Sequence, residues 1–337
     1  MEAYIHRQIH EKLLHAQNPV FVSDERVDGD SLGASLAMVD YMSRHGKRPN
    51  VYVSEEVPAQ YGALPHVEIC TTDLEIFNDS TIDLVVTFDC SDGNYVQGLL
   101  DLIPGEPLVI NIDHHATNPH YGDLNQVLVD SPATAEVMYR FFQENGVVIT
   151  KDAATCLLTG LCFDTGAFTN RATNEDAFDA ASRLVMNGAR VQDVVQTMFQ
   201  NRSISALRVW GIALERLYEN KQMGFVSTYL TRKDIEENDV TDDEIDGLSN
   251  FLNLVTDAPT LFVLREDNQR GVKVSMRSLV RDVSIIAHAF GGGGHKRAAG
   301  FTIRDARLMC VESLRWRVES LGETKQTILS RHIAPTK

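Results

Sequence analysis

The stretch Pro107-Leu-Val-Ile-Asn-Ile-Asp-His-His115 joins a short apolar run to an aspartate and two histidines. A second apolar run of similar length lies upstream, in Asp83-Leu-Val-Val-Thr-Phe88. Continuous apolar runs of this kind are typical of strands that are buried on both faces of a parallel sheet. The sequence therefore predicts an α/β fold in which Asp113, His114 and His115 emerge at the carboxyl end of a strand, where such folds bind ligands.

Alternating elements are expected on both sides of this run. Periodic apolar residues predict helices, and short apolar runs predict strands. In the first half the expected helices are 4–16, 31–44, 134–145 and 152–161, and two further strands are 19–23 and 51–53. Three successive helices are then expected at 174–187, 191–199 and 203–218.

An α+β pattern follows these helices. Strands are expected at 225–229, 260–265 and 271–276, then a glycine-rich loop, another strand and a final helix near 307–321. The whole pattern predicts a parallel-sheet domain with helices on both faces at 1–188, a helical linker at 189–219 and a smaller α+β domain at 220–325.

Composition limits the classes of function. The chain has 337 residues and a net charge of −16, which argues against a protein that binds long nucleic acid through its phosphates. A small phosphorylated substrate remains compatible, because bound cations can reverse the local charge. No apolar run approaches the ~20 residues of a membrane span, and the N-terminus is too polar for a signal peptide. Five scattered cysteines predict reduced thiols and a cytoplasmic location.

Carboxylates gather at the ends of the expected elements. Ser23-Asp-Glu-Arg-Val-Asp-Gly-Asp-Ser31 follows the first strand and offers Asp24, Asp28 and Asp30. Asp89 follows the 83–88 strand, and Asp164 follows the helix that begins near 152. Each of these alone is typical of a loop or a helix cap. Together with the histidines they suit two Mn²⁺ or Mg²⁺ ions, which can activate water for phosphoryl transfer.

A second motif lies far along the chain, in Gly291-Gly-Gly-Gly-His-Lys-Arg-Ala-Ala-Gly300. Glycines allow backbone N–H groups to approach a phosphate closely, and the polar side chains after them can also bind one. The motif alone would also fit a flexible turn. Combined with the carboxylates and histidines, it indicates an enzyme that cleaves phosphate esters.

These motifs, in this order, resemble the DHH phosphoesterase superfamily, in the subgroup with a C-terminal DHH-associated domain. The resemblance covers roughly residues 5–305 and is carried by Asp-Gly-Asp at 28–30, Asp89, Asp-His-His at 113–115, Asp164 and the glycine motif. The chain is most similar to stand-alone nano-RNase and pAp phosphatase proteins, and next to soluble cyclic-di-AMP phosphodiesterases. The resemblance implies a metal-dependent hydrolase with two divalent ions, Mn²⁺ first and Mg²⁺ as the alternative.

The resemblance also implies roles for individual residues. Asp28 and Asp89 would hold one ion, Asp89 would bridge to the second, and Asp30, His114 and Asp164 would complete the second site. Asp113 would orient its neighbours, and His115 would face the substrate phosphate. The implied phosphate-binding residues of the C-terminal domain are Gly292, Gly293, Gly294 and His295, with Arg277 and Arg297 as charge partners.

One position departs from the family pattern. Asp24 stands where the family usually has a histidine ligand, four residues before the first aspartate of Asp-x-Asp. A carboxylate there could still bind a metal ion, or it could point away. The sequence therefore leaves open a non-catalytic nucleotide-binding protein. It also does not decide between pAp, short oligonucleotides and linear or cyclic dinucleotides, and it leaves the oligomeric state open, with a homodimer as one option.

Overall fold

The computed structural model describes residues 2–169, 173–199, 203–312 and 315–321. They form two compact units, one ending at Phe199 and the other beginning at Ser203. This division falls inside the stretch 189–219 that the sequence predicts to be a linker. The three-part domain scheme stays a prediction.

In the first unit, helices and strands alternate in the expected manner. Its helices are α1 Glu2–His15, α2 Gly29–Arg44, α3 Gly93–Leu100, α4 Thr134–Glu144, α5 Lys151–Asp164, α6 Glu175–Met186 and α7 Val191–Phe199. Its strands are β1 Pro19–Val22, β2 Asn50–Tyr52, β3 Cys70–Thr71, β4 Leu84–Phe88, β5 Leu108–Asp113 and β6 Leu124–Val127. The sequence does not predict β3, β6 and α3, because they are short or only partly apolar.

Within the described residues, these strands form one six-stranded sheet in the order β3-β2-β1-β4-β5-β6, and every pair is parallel. On one face, Phe21 and Val86 pack into a core that α1, α2, α4 and α5 complete. On the other face, Val20 and Val85 pack against residues that include Val96 of α3. The expectation of a parallel sheet covered by helices on both faces is confirmed.

The strand order determines where a ligand site can form. From β1 the chain moves outward to β2 and β3, and then returns to β4 on the other side of β1. At such a reversal the loops leaving the two neighbouring strands run in opposite directions, which opens a crevice at their carboxyl ends. The loop after β1 begins at Ser23, and the one after β4 begins at Asp89. The carboxylates predicted from sequence therefore lie at this crevice.

A close contact between α2 and α5 brings further residues to the same edge. A Cβ atom on Gly33 would lie 2.5 Å from the carbonyl oxygen of Cys156, and one on Gly160 would lie 2.7 Å from Oδ1 of Asp30. Only glycine permits helices to approach this closely. The contact places Asp164, the last residue of α5, near Asp30. Asp164 thus ends the helix, whereas the sequence predicts it to lie after the helix.

The second unit is an α+β structure. Its helices are α8 Ile204–Glu215, α9 Arg232–Glu236, α10 Asp242–Ile245, α11 Leu248–Val255 and α12 Ser284–Ala289. Its strands are β7 Tyr218–Asn220, β8 Phe225–Leu230, β9 Thr260–Glu266, β10 Gly271–Ser278, β11 Gly293–His295, β12 Ala298–Arg304, β13 Ala306–Glu312 and β14 Arg315–Ser320. Its main sheet has the order β11-β12-β10-β9-β8-β7, and β8 and β9 are its parallel pair.

The final helix expected near 307–321 is wrong. The described residues of this stretch form the antiparallel strands β13 and β14, in which Leu308 is paired with Val318. The cause is an alternation of period two: Leu308 and Val318 are buried, whereas their neighbours Arg307 and Arg317 are exposed. Alternation of this kind buries one face of a strand pair and would scatter apolar residues around a helix.

Two further expectations concern the whole chain. In the part of the chain that the structure describes, no helix is long and apolar enough to cross a membrane. The five cysteines are all free thiols, and four of them are buried or half-buried.

Candidate active site

The loop after β1 ends in a helix cap. Asp28 precedes α2, and its Oδ1 accepts hydrogen bonds from the backbone N–H groups of Asp30, at 3.0 Å, and Ser31, at 2.9 Å. Burial, aided by the charges of Asp164 and Asp24, raises the pKa of Asp28 to about 6. A cap alone would favour a lowered pKa, because a helix N-terminus stabilises an anion. Asp28 therefore caps the helix and is also held among other carboxylates.

Asp30 lies in the first turn of α2 and is completely buried. Its two oxygens accept hydrogen bonds from the first turn of α4, from Thr134 N at 2.6 Å and Ala135 N at 2.9 Å. The residue before α4 is Ala133, which has no capping side chain, so Asp30 caps α4 from another helix. Burial and the charge of Asp164 raise the pKa of Asp30 despite these bonds.

Asp89 has a strained backbone. Its φ of 65° lies in the left-handed region, which residues other than glycine adopt at a cost of roughly 1 kcal/mol. Two hydrogen bonds stabilise this strained conformation. Asp89 N donates to the carbonyl of Ile112 at 2.9 Å, and Thr134 Oγ1 donates to Asp89 Oδ1 at 2.7 Å. Burial, with Asp30 and Asp28 nearby, raises the pKa of Asp89.

Asp113 is the last residue of β5 and orients the two histidines after it. Its Oδ1 accepts from the backbone N–H of His114, at 2.6 Å, and lies 2.8 Å from Nδ1 of His115. Its other oxygen accepts from the amide of the buried Asn118. Burial alone would raise the pKa of Asp113, but hydrogen bonds from the His115 and Asn118 side chains bring it below its ordinary value.

His114 points into the carboxylates. Its Nε2 lies 3.0 Å from Oδ2 of Asp164 and 3.6 Å from Oδ1 of Asp89. This nitrogen is buried, yet its geometry makes no directed hydrogen bond. Burial opposes protonation, but Asp164 and Asp30 outweigh it and raise the pKa of His114 to about 9.

Two groups of donor atoms result, and they share His114. One consists of Asp89, His114 and His115, and the other of Asp30, His114 and Asp164; within each group the ligand atoms lie within 4.8 Å of one another. Asp24 and Asp28 belong to neither group. Asp24 is half-buried, and one of its oxygens accepts from Arg26 N at 3.3 Å.

The chemistry of these donors fits a divalent cation. The carboxylates of Asp28, Asp30 and Asp89 have raised pKa values, and within the described residues none of them forms an ion pair with lysine or arginine. Buried anions without such a partner are unfavourable, and a bound dication would compensate them. Nε2 of His114, which faces Asp164 and Asp89, becomes a further ligand atom when it loses its proton. Aspartate oxygens with one or two imidazoles suit Mn²⁺ and also Mg²⁺.

A third group of metal-ligand residues has a similar composition, but its carboxylates pair with arginines. Asp40, His66 and Asp152 also bring three ligand atoms together. However, Asp40 pairs with Arg44 at 3.2 Å, and Asp152 pairs with Arg190 at 2.6 Å. These carboxylates already have cationic partners, so the group is explained by the fold.

In the second unit, the glycine motif is partly used by the structure itself. The N–H groups of Gly291 and Gly292 donate to the carbonyls of His288 and Ala287 at the end of α12, at 3.0 and 2.9 Å. Gly293, Gly294 and His295 form β11, which pairs with β12. A Cβ atom on Gly292 would lie 2.2 Å from the carbonyl oxygen of Gly300, so packing alone requires glycine there. The side chain of His295 lies outside the described residues.

Arginines lie beside this motif. Arg277 is paired with Ala298 across β10 and β12, and its guanidinium donates to Oδ1 of Asn250 at 2.7 and 3.0 Å. Burial lowers the pKa of Arg277. Arg297 donates to the carbonyl of Arg281 at 3.3 Å. Within the described part of the chain, Arg277 and Arg297 form no ion pair with a carboxylate.

Sequence reasoning missed the residues that support the cluster from behind. Thr134 contacts both Asp30 and Asp89, Asn118 bonds to Asp113, and Ser131 and Glu136 lie behind His114. The signal available was Ser131-Pro-Ala-Thr-Ala-Glu136, a serine and a glutamate around the start of an expected helix. That pattern predicts a helix start, but it does not reveal which site the helix would meet.

The fold and the cluster define a doubly wound α/β protein with a candidate divalent-cation site at its strand reversal. Residues 19–161 match the DHH family, N-terminal domain, and residues 222–321 match the DHHA1 domain. The first unit therefore carries a DHH domain and the second a DHHA1 domain, which confirms the resemblance seen in the sequence.

Individual proteins are similar over most of the chain. The bifunctional oligoribonuclease and PAP phosphatase NrnA of Thermus thermophilus is 29% identical over 300 residues, which is 88% of each protein. The cyclic-di-AMP phosphodiesterase GdpP of Geobacillus thermodenitrificans is 24% identical, over 89% of this chain and 47% of that protein. The crystal structure of an exopolyphosphatase-related protein from Bacteroides fragilis superposes with a TM-score of 0.81 at 23% identity, covering 88% of this chain and 90% of the other, which shows the same fold.

Proposed function

We propose that this protein is a metal-dependent phosphoesterase that hydrolyses short oligoribonucleotides, 3′,5′-bisphosphorylated nucleosides such as pAp, or both. The observation that carries the proposal is the pair of donor groups that share His114 at the carboxyl ends of the sheet. The similarity to the Thermus thermophilus oligoribonuclease and PAP phosphatase supports the substrate class.

Two divalent ions, Mn²⁺ in preference to Mg²⁺, would be held by Asp28, Asp30, Asp89, His114 and Asp164. When bound, such ions lower the pKa of a water ligand and stabilise charge on the phosphoryl oxygens. Asp28 keeps one oxygen, Oδ2, outside the helix cap, and Asp30 keeps lone pairs beyond those that α4 uses. Asp24 adds a further negative charge beside the cluster and would be an additional candidate ligand for a metal ion.

Two residues of the motif act on the substrate side of the cluster. Asp113 binds Nδ1 of His115, which leaves Nε2 of His115 as the nitrogen available to a phosphate oxygen. The His115 side chain is one-third exposed, whereas Asp113 is fully buried. Asp113 therefore holds the ring in place, and His115 contacts substrate.

The second unit would have a phosphate-binding site of its own. Arg277 and Arg297 lie beside the glycine motif without carboxylate partners among the described residues, so their charges are available to an anion. A guanidinium that has no carboxylate partner binds phosphate strongly, by two parallel hydrogen bonds. Gly292, Gly293, Gly294 and His295 would complete this part of the site.

The expected partner is a small nucleotide. The net charge of −16 opposes binding of long nucleic acid, whereas local cations suffice for a short substrate. The proposal includes a cytoplasmic location and leaves the oligomeric state open, with a homodimer as one option.

The second candidate function is hydrolysis of a cyclic or linear dinucleotide. The similarity to the cyclic-di-AMP phosphodiesterase GdpP favours it, because that similarity spans 89% of this chain. A third outcome, nucleotide binding without turnover, follows if Asp24 disables the cluster.

A substrate panel separates these functions. Purified protein is incubated with Mn²⁺ or Mg²⁺ and with pAp, ribonucleotides of two to five residues, cyclic-di-AMP and a long RNA, with EDTA as control. Metal-dependent release of mononucleotides or of phosphate from pAp is expected, with little activity on long RNA. Turnover of cyclic-di-AMP alone would favour the second candidate, and nucleotide binding without turnover would show a non-catalytic protein.

A further inference from the structure

A chain of hydrogen bonds leads from the back of His114 toward the surface of the first unit. Nδ1 of His114 lies 3.1 Å from the carbonyl oxygen of Ser131. The Ser131 hydroxyl lies 2.6 Å from Oε2 of Glu136, and Oε1 of Glu136 lies 2.5 Å from Nε of Arg140. Arg140 also pairs with Asp176 at 2.8 Å. Ser131 and Glu136 are only 6% and 2% exposed, so the connection is buried where it meets the site.

The first bond selects one form of the imidazole. A backbone carbonyl can only accept a hydrogen bond, so Nδ1 of His114 carries a proton and Nε2 is the nitrogen that can ligate. Nε2 is the buried atom that makes no directed hydrogen bond and lies among Asp164 and Asp89. The position of the Ser131 carbonyl therefore decides which nitrogen faces the carboxylates, and at what angle.

Glu136 binds the side chain of Ser131, the residue that carries this carbonyl, in an unusual way. It is the third residue of α4, where a glutamate ordinarily reaches back to the capping residue. The capping residue here is Ala133, and Glu136 instead reaches Ser131, two residues earlier. The single hydroxyl proton of Ser131 has two acceptors within reach, Glu136 and the carbonyl of Ala133 at 2.8 Å. The bond to Glu136 is the shorter of the two, at 2.6 Å.

We propose that Glu136 is a positioning residue: acting through Ser131, it fixes the tautomer and orientation of His114 and so sets the affinity of the site for divalent cations. The inference rests on the proposed function, since it concerns the same cluster. Arg140 keeps the Glu136 carboxylate in place from the far side. The competing account is that Glu136 only stabilises the start of α4.

The test measures Mn²⁺ affinity by calorimetry and, by pulsed EPR, the ¹⁴N coupling of a coordinated imidazole. Glu136→Ala is expected to weaken Mn²⁺ binding about 10-fold and to diminish the ¹⁴N coupling, because groups that orient a metal ligand contribute about this much. Ser131→Ala keeps the carbonyl but loses the hydroxyl through which Glu136 acts, so a loss similar to that of Glu136→Ala is expected. Glu136→Gln keeps an oxygen acceptor without the charge and is expected to stay close to wild type.

Ser203→Ala is the matched control, because it removes a helix cap in the second unit, where Ser203 Oγ accepts from Ala206 N at 3.0 Å. It should lower the melting temperature without changing Mn²⁺ affinity. The proposal would be overturned if Glu136→Ala kept the Mn²⁺ affinity and the ¹⁴N coupling of the wild type. It would also be overturned if Glu136→Gln bound Mn²⁺ as weakly as Glu136→Ala, since the lost charge alone would then explain the weaker binding. If Glu136→Ala does not fold, Ser131→Ala decides in its place, since unaltered affinity and coupling in that variant would also overturn the proposal.

Turnover by the wild type is recorded separately with short oligoribonucleotides and pAp. A wild type that binds Mn²⁺ but cleaves neither would count against the proposed function, while the ranking of the variants would still support the role of Glu136. A fully active wild type with variants of equal affinity would overturn the role of Glu136 alone.

Discussion

The carboxylate cluster of the first unit and the glycine motif of the second both stand out in the sequence, yet the fold uses them in opposite ways. The cluster gathers groups that are held at a cost to stability: Asp89 has a φ of 65°, and burial raises the pKa values of Asp28, Asp30 and Asp89. In the glycine motif, Gly292 is required by its contact with Gly300, and its N–H completes α12. Strain and unpaired charge thus point to function, whereas a motif explained by packing needs a separate test.

The largest effect is expected from Asp89→Asn. Asparagine tolerates the left-handed backbone and can still accept from Thr134, but it is a poorer metal ligand. Turnover should fall at least about 10²-fold, the scale seen when one stabilising group of a transition state is removed. The melting temperature of metal-free protein should rise, because a buried carboxylate is gone. Asp92→Asn, at the cap of α3, is the matched control and should retain activity. A fully active Asp89→Asn protein would show that strain and buried charge in the cluster do not indicate catalysis.

The second prediction tests the packing account of the glycine motif. Gly292→Ala should lower the free energy of unfolding by about 1–3 kcal/mol, because its Cβ would lie 2.2 Å from the Gly300 carbonyl oxygen. Gly293→Ala is the control, since nothing lies within 4 Å of its added Cβ. Urea denaturation measures both. Equal stability of the two variants, with a raised KM for Gly292→Ala, would mean that Gly292 serves the substrate instead.

The third prediction concerns pH and metal removal. The ordinary pKa of aspartate is about 3.9, and that of Asp28 in the folded protein is about 6, so its stabilising contribution is complete below about pH 4 and is lost as pH rises through 6. Asp30 and Asp89 shift in the same direction. His114, with a pKa raised to about 9, contributes below its ordinary 6.5 and loses that contribution toward 9.

The melting temperature of EDTA-treated protein should therefore fall by a few degrees between about pH 5 and pH 8. Excess Mn²⁺ should reduce or reverse this fall, because the ion binds the deprotonated groups. Scanning fluorimetry with and without the ion measures both curves. A metal-free protein whose melting temperature rises through this range would show that the cluster is not electrostatically strained.

The smallest effect is expected from Asp24→His. Asp24 lies outside both donor groups, so restoring the histidine that is usual in the family should change activation by Mn²⁺ and Mg²⁺ only slightly. Titrating both ions against both proteins measures the preference. A strong shift toward Mn²⁺ would make Asp24 a ligand and enlarge the cluster. An inactive wild type with an active His variant would place the natural chain in the non-catalytic class.

The sequence alone determined the class of fold and the residues of the cluster. The run 83–88 predicts a strand with apolar residues on both faces. Such strands are typical of a parallel sheet that helices cover on both sides. Asp89 and Asp113 followed from the rule that polar groups at the carboxyl ends of such strands meet. The β13–β14 pair is not predicted from the sequence, because its alternation is short and its exposed arginines, Arg307 and Arg317, also suit a helix surface.

The tertiary structure alone decided how those residues are held. Asp30 caps a helix more than a hundred residues away in sequence, and Glu136 reaches His114 through Ser131. No local pattern encodes such bonds, because they depend on the crossing of α2 and α5 and on the direction in which α4 enters the core. Local sequence can specify which chemical groups a site contains. The orientation of those groups and their charge balance arise only when distant backbone groups are brought into hydrogen-bonding distance.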